Sequence, residues 1–193
     1  MKFKIEMIGA LLCAGLVFAG CGTPSQHIVG SFNGPTYTSP QGAFSVPIPV
    51  SPEVGGRVLT DGPETVTFRD NWGSHITFSS FTFNARSSMT SVMESQGRER
   101  ALTEFAKRQY GNDIEAHFHK EARDGVLSFI FTRPVGEPRG VAQFVHGTRV
   151  YEVETDMLPG VQLLAQSDAK SKADRMTWLE DRAVALAQSM DVK

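Results

Sequence analysis

Val141-Ala142-Gln143-Phe144-Val145-His146-Gly147-Thr148-Arg149-Val150-Tyr151-Glu152-Val153-Glu154-Thr155-Asp156-Met157 is the stretch that decides the fold. Gly147-Thr148 is a turn pair suited to a tight hairpin, and a strand-like run lies on each side of it. Closing the hairpin there sets Phe144 opposite Tyr151 and Ala142 opposite Val153, so these four share one face, the one expected to be buried. Working backwards, Asp113 to Glu121 and Gly125 to Arg133 are two more such runs, turned at Asp124-Gly125 and joined onward through Pro134 to Pro138. Four successive strands make an antiparallel meander.

Upstream, Ser91 to Tyr110 has helical spacing, with Leu102, Phe105, Ala106 and Gln109 on one stripe. Ser91 and Glu94 read as a capping box, Gly97 weakens the first turns, which makes a start near Gly97 the alternative, and Gly111 is a stop. Before it, Val66, Phe68, Ile76 and Phe78 alternate in the runs Glu64 to Arg69 and Ser74 to Phe83, which predicts a hairpin turning at Asp70-Asn71-Trp72-Gly73. Trp72 at that tip is expected to fold over a sheet end, with a binding contact as the rival reading. Phe44, Val46 and Ile48 also alternate, but Pro47 and Pro49 cannot donate to a ladder, so that strand belongs at an edge or ends early. A closing helix runs from about Ser171 to Met190, with Met176, Leu179, Ala183, Leu186, Ala187 and Met190 as its docking stripe. Hairpin, helix, meander and helix in that order predict an α+β domain: an antiparallel sheet of about six to seven strands flanked by two helices.

The first residues are of another kind. Met1-Lys2-Phe3-Lys4 is basic, Met7 to Phe18 is apolar, and Phe18-Ala19-Gly20-Cys21 sets small residues before a cysteine. A spanning helix needs about 20 apolar residues, more than Glu6 and Cys21 enclose. The segment resembles a bacterial lipoprotein signal peptide with its lipobox. That resemblance implies cleavage before Cys21, diacylation of its sulfur and acylation of the new amino group with palmitate-type chains. Phe18 departs from the usual Leu, and ordinary secretory cleavage is the rival. Gly22 in place of Asp implies export to the outer membrane, facing the periplasm. Residues 1–20 are thus the signal peptide, 21–35 a flexible tether and 36–193 a single domain. The tether follows from composition, since Gly22 to about Pro40 carries few large apolar groups and much Gly, Pro, Ser and Thr.

Losing Lys2, Lys4 and Glu6 with the signal leaves 17 basic and 20 acidic side chains, a net charge of −3. With no basic excess to meet phosphates, nucleic acid and an anionic bilayer surface are both poor partners for the domain. Cys13 goes with the signal and Cys21 is blocked, so thiolate chemistry and cysteine-ligated zinc are excluded from the domain.

The opening Ala43-Phe44-Ser45-Val46-Pro47-Ile48-Pro49, the strand Arg149-Val150-Tyr151-Glu152-Val153 and the closing Ala187-Gln188-Ser189-Met190 resemble the PsbP-like superfamily. That resemblance covers about residues 36–190 and implies a non-enzymatic scaffold or binding role with no cofactor. It carries no functional residue across.

Three constellations could still hold chemistry. Glu115, His117, His119 and Glu121 alternate onto one side of their strand and could ligate zinc or copper if a third ligand joined them; the competing expectation is a solvated face opposite Ile114, Ala116 and Phe118. Ser74-His75 are neighbours whose side chains face opposite ways, and no G-x-S-x-G elbow exists, so a hydrolase triad is disfavoured. Glu152, Glu154 and Asp156 share a face and are expected to be solvated. The expectation is therefore a non-enzymatic lipoprotein attached to the membrane through Cys21, with an envelope protein as partner. The alternative is a periplasmic metal-binding protein or hydrolase built on His117 and His119.

Overall fold

The computed structural model describes residues 29–49, 57–69, 75–84, 87–133, 137–156 and 169–193. Cys21, Trp72 and the hairpin tip around it lie outside the described residues, as does the loop after Asp156.

Strands β1 (Ser31–Asn33), β2 (Thr36–Thr38) and β3 (Phe44–Pro47) open the chain, followed by β4 (Arg57–Asp61), β5 (Thr65–Arg69) and β6 (His75–Thr82). Helices α1 (Ser88–Gln96) and α2 (Arg98–Tyr110) lead to the meander β7 (Ala116–His119), β8 (Val126–Thr132), β9 (Pro138–His146) and β10 (Arg149–Asp156). Helix α3 (Ala169–Ser189) and the short strand β11 (Asp191–Val192) close it. The main sheet has seven strands in the order β4-β5-β6-β10-β9-β8-β7, all paired antiparallel, and a smaller sheet runs β1-β2-β3-β11. Among the described residues, two antiparallel sheets and three helices make this an α+β fold, with one more helix and one more sheet than the sequence pattern indicates.

The deciding hairpin has the expected register: Phe144 pairs with Tyr151 and Ala142 with Val153. Their face is buried, and the Phe144 and Tyr151 rings stack at 5.2 Å. On this face the small sheet brings Tyr37, Phe44 and Val46 against Phe68, Phe78, Phe144 and Tyr151, while Ala183, Ala187 and Met190 of α3 complete the cluster. The Tyr151 hydroxyl donates to the Ala43 carbonyl at 3.1 Å and so ties the two sheets together. On the opposite face, Leu102 and Ala106 of α2 and Met89 of α1 cover Leu127, Phe129, Val141, Val145 and Val150.

Two expectations change, and a third is decided between its alternatives. The single helix beginning at Ser91 is two helices: Ser87 caps α1 by accepting from the Thr90 N–H, and Gly97 breaks the chain at φ 88° and ψ 169°, a backbone region essentially restricted to glycine. The tether does not extend to residue 35, because Ser31, Phe32 and Asn33 pair with Thr38, Tyr37 and Thr36. Its low apolar content misled, since this hairpin is held by polar contacts to Asp61. Of the two alternatives for the strand with the prolines, the early end is the one found: β3 stops at Pro47 and lies between β2 and β11, which pairs with Ser45 and Phe44 ahead of the prolines.

Candidate functional site

Strand alternation places the polar residues of the meander on two opposite faces, and each face has its own network. On the α3 side, His117 pairs across the strands with Ser128. The His117 Nδ1 lies 2.7 Å from Glu180 Oε1, Ser128 Oγ donates to the same oxygen at 2.6 Å, and His119 Nε2 lies 2.7 Å from Ser128 Oγ. Hydrogens on both imidazole nitrogens satisfy every contact, giving a donor chain from His119 through Ser128 to Glu180, with His117 as second donor. The Glu180 hydrogen bond and then its charge raise the His117 pKa. A raised histidine stabilises the fold fully below its ordinary value near 6.5, and that contribution is lost as pH rises through the raised value.

Glu115 and His117 are indeed solvent-exposed, and Ile114, Ala116 and Phe118 pack on the other side. Yet the histidines are engaged rather than free, because α3 lays Glu180 over their strand. That third residue lies 63 positions from His117 and has no sequence signature. Among the described residues, no group of three or more His, Cys, Asp or Glu is placed to hold a metal ion. Ser128, the hydroxyl next to His119, is fully buried and already donates to a carboxylate. A nucleophile needs an oxygen that a substrate can reach, and this one is fully buried. His75 faces no serine in the described residues; its Nδ1 and backbone N–H meet Asp156 at 3.0 and 2.6 Å.

The α1–α2 side holds the second network. Across the sheet Thr65, Ser79, Glu152 and Gln143 fall in one row, and Thr67, Thr77 and Glu154 in the next. Thr67 and Thr77 hydroxyls are 2.9 Å apart, and Thr65 donates to Ser79 at 3.3 Å. Glu154 accepts from Arg139 and from Arg133, the latter at 3.3 Å. Threonines 65, 67 and 77 are half-exposed, so this half of the face presents hydroxyls to solvent while α2 packs over β8 and β9.

Glu152 is not solvated as its position on the strand suggested; it is 5% exposed, lying beneath the C-terminal turn of α2. Burial pushes its carboxyl up, against hydrogen bonds from Gln143 and Tyr110 that favour the charge. The Tyr110 hydroxyl is pushed up too, by burial first and then by the Glu152 charge. Gln143 Nε2 donates to Glu152 Oε2 at 2.5 Å, but the buried Gln143 Oε1 has no partner. A protonated carboxyl, or an amide in its place, could donate to that oxygen once the Gln143 amide is reversed. A carboxyl whose folded pKa is raised costs stability above its ordinary value near 4.5, and the cost vanishes below it. Glu152→Gln is therefore expected to stabilise the protein at pH 7 by about 1 kcal/mol. Melting curves against pH should show that gain disappearing below pH 4; a loss at pH 7 would mean that the ionised carboxylate is the preferred state.

No family model matches the chain, and neither does any curated protein. It is similar to a solved crystal structure from Bacteroides thetaiotaomicron VPI-5482, at 13% identity and a TM-score of 0.44 over 84% of this chain and 49% of that one. The chain thus spans about half the length of that protein. It is also similar to the solution structure of cyanobacterial PsbP (CyanoP) from Synechocystis sp. PCC 6803, at 13% identity and a TM-score of 0.44 over 86% of this chain and 99% of that one.

Proposed function

We propose that the chain is a lipoprotein of the bacterial outer membrane, anchored through acylated Cys21 with its domain in the periplasm, and that it acts as a non-enzymatic binding or assembly module for an envelope protein. The observation that carries the non-enzymatic part is the state of Ser128: the hydroxyl hydrogen-bonded to a histidine is fully buried and donates to Glu180. The polar groups on the α3 side thus hold the helix to the sheet. The half-exposed hydroxyls of Thr65, Thr67 and Thr77 on β5 and β6, flanked by the Glu154–Arg139–Arg133 cluster, are the surface we assign to the partner. Their pattern of fixed donors and acceptors suits a polar, hydrogen-bonding epitope.

Anchoring is tested at the N-terminus. Three acyl chains bind far more strongly than the single chain that holds only marginally, so the native protein should fractionate entirely with membranes. Mass spectrometry should show acylated Cys21 as the first residue, and Cys21→Ser should leave an uncleaved or poorly anchored protein. A mature chain that starts elsewhere or carries no acyl mass would overturn the reading. Zinc or copper should leave the melting temperature of the purified domain unchanged; a metal-dependent rise lost in the His117→Ala, His119→Ala double variant would favour the metal-carrier alternative.

A further inference from the structure

We propose that the β1–β2 hairpin is a membrane-bedding surface, resting on the same bilayer that Cys21 enters and fixing the orientation of the domain above it. This rests on the lipid-anchor reading. Residues 22–52 contain no Asp, Glu, Lys or Arg, in a chain whose charged residues make up 21% of the whole. Among the described residues three large hydrophobic side chains are exposed, and two of them, Val29 at 50% and Phe32 at 44%, belong to this one hairpin region. The third, Trp178 on α3, is covered in part by the Arg182 guanidinium.

Position along the chain supplies the occupant. Eight peptide units separate Cys21 from Val29, and whatever their conformation they reach no more than about 28 Å. A strand tied that closely to acyl chains meets headgroups before it meets anything else. β1 is the outer strand of the small sheet, with Ser31, Phe32 and Asn33 all exposed. An aromatic and an aliphatic side chain on a hydroxyl- and amide-bearing ribbon without charges of its own suit the interfacial zone, where an apolar side chain gains from partial burial, and the neighbouring Asp61 carboxylate already accepts from the Val29 and Gly30 N–H groups and the Tyr37 hydroxyl. The charges of the small sheet, Asp191 and Lys193, come from the segment at its far edge, beyond β3. The hairpin is also held firmly enough to transmit orientation, because the Val29 and Gly30 N–H groups and the Tyr37 hydroxyl all donate to Asp61 of the main sheet.

The test uses the full acylated protein in vesicles of phosphatidylethanolamine and phosphatidylglycerol, with Cys21 acylation verified by mass. Cys13 is removed with the signal and Cys21 is blocked, so a cysteine introduced at Phe32 is the one free thiol for an environment-sensitive fluorophore. A probe at the exposed Asn33 leaves Phe32 and its edge-on contact with Tyr37 in place. A third at Glu99, exposed on α2 across the main sheet, is the reference. Emission from positions 32 and 33 should shift to the blue and be quenched by brominated lipid, whereas Glu99 should report water. Val29→Asp should return the probe at 33 toward aqueous emission. Aqueous emission at 32 and 33 in verified acylated protein would overturn the proposal while leaving the anchor intact. A blue shift without lipid quenching would overturn it in favour of a protein contact. Absence of acyl mass on Cys21 would remove the anchor, and the proposal with it.

Discussion

Gly140→Ala is expected to lower the unfolding free energy by about 3 kcal/mol, which at this chain length corresponds to a melting temperature lower by roughly 10 °C. A Cβ at this position would sit 2.2 Å from the Leu179 carbonyl oxygen and 2.8 Å from its carbon. Those are backbone atoms in the middle of α3, so no side chain can swing away to make room. Ala183, 3.4 Å from the same point, lies one turn further along the helix. Relief requires lifting α3 from β9, which would also separate Glu180 from Ser128 and His117. The reference is Gly62→Ala, where the nearest atom to a new Cβ is the Thr65 carbonyl oxygen at 3.8 Å. That substitution removes the same glycine entropy from the unfolded chain without a clash and should be neutral or slightly stabilising. Equal effects at the two sites would show that close approach of α3 is not what Gly140 provides.

The contrast between those glycines bears on how much of the protein was legible in its sequence. Turn pairs and period-two alternation are local signals, and they located the meander and the register of Phe144 with Tyr151; the β5–β6 register, with Val66 opposite Phe78, is one residue off the one a turn at Asp70 to Gly73 gives. The stripe on α3 was equally readable, and Leu179, Ala183, Ala187 and Met190 are buried as it predicted. What local patterning could not supply was contact between distant segments. β11 is two residues long and exists as a strand because Ser45 and Phe44 are there to pair with it. β4 carries no clean alternation and bulges between Val58 and Thr60. Glu152 occupies a position that alternation alone assigns to solvent, and only the placement of Gln109 and Tyr110 above the sheet buries it. His117 and His119 share a face, as alternation predicts, but what His117 meets there is Glu180, which the sequence places among ordinary helix charges.

Asp61→Ala is expected to destabilise the protein by about 3–4 kcal/mol, because one carboxylate satisfies three donors from a separate segment of chain. The Val29 and Gly30 N–H groups donate to Oδ2 at 2.8 and 2.7 Å, and the Tyr37 hydroxyl donates to Oδ1 at 2.5 Å. Tyr37 is fully buried, its ring set edge-on against Phe68, and burial followed by Asp61 pushes its hydroxyl pKa up. Truncation would strand that hydroxyl among apolar groups and release both ends of the β1–β2 hairpin. Asp61→Asn keeps an acceptor but loses the charge assistance, so it should cost less than alanine. Tyr37→Phe in the alanine background removes the stranded hydroxyl and should recover part of the loss, a coupling that a double-mutant cycle would measure. Limited proteolysis offers an independent readout. Cleavage of the parent protein should stop near Val29, whereas Asp61→Ala should open the hairpin and move the boundary to the start of β3. Cleavage that stops at residue 36 in the parent would mean that β1 is not held by Asp61 in solution. With β1 free, the surface carrying Val29 and Phe32 would no longer be fixed to the domain, so the Asp61→Ala protein should stay on vesicles through its acyl chains while its domain loses a defined orientation.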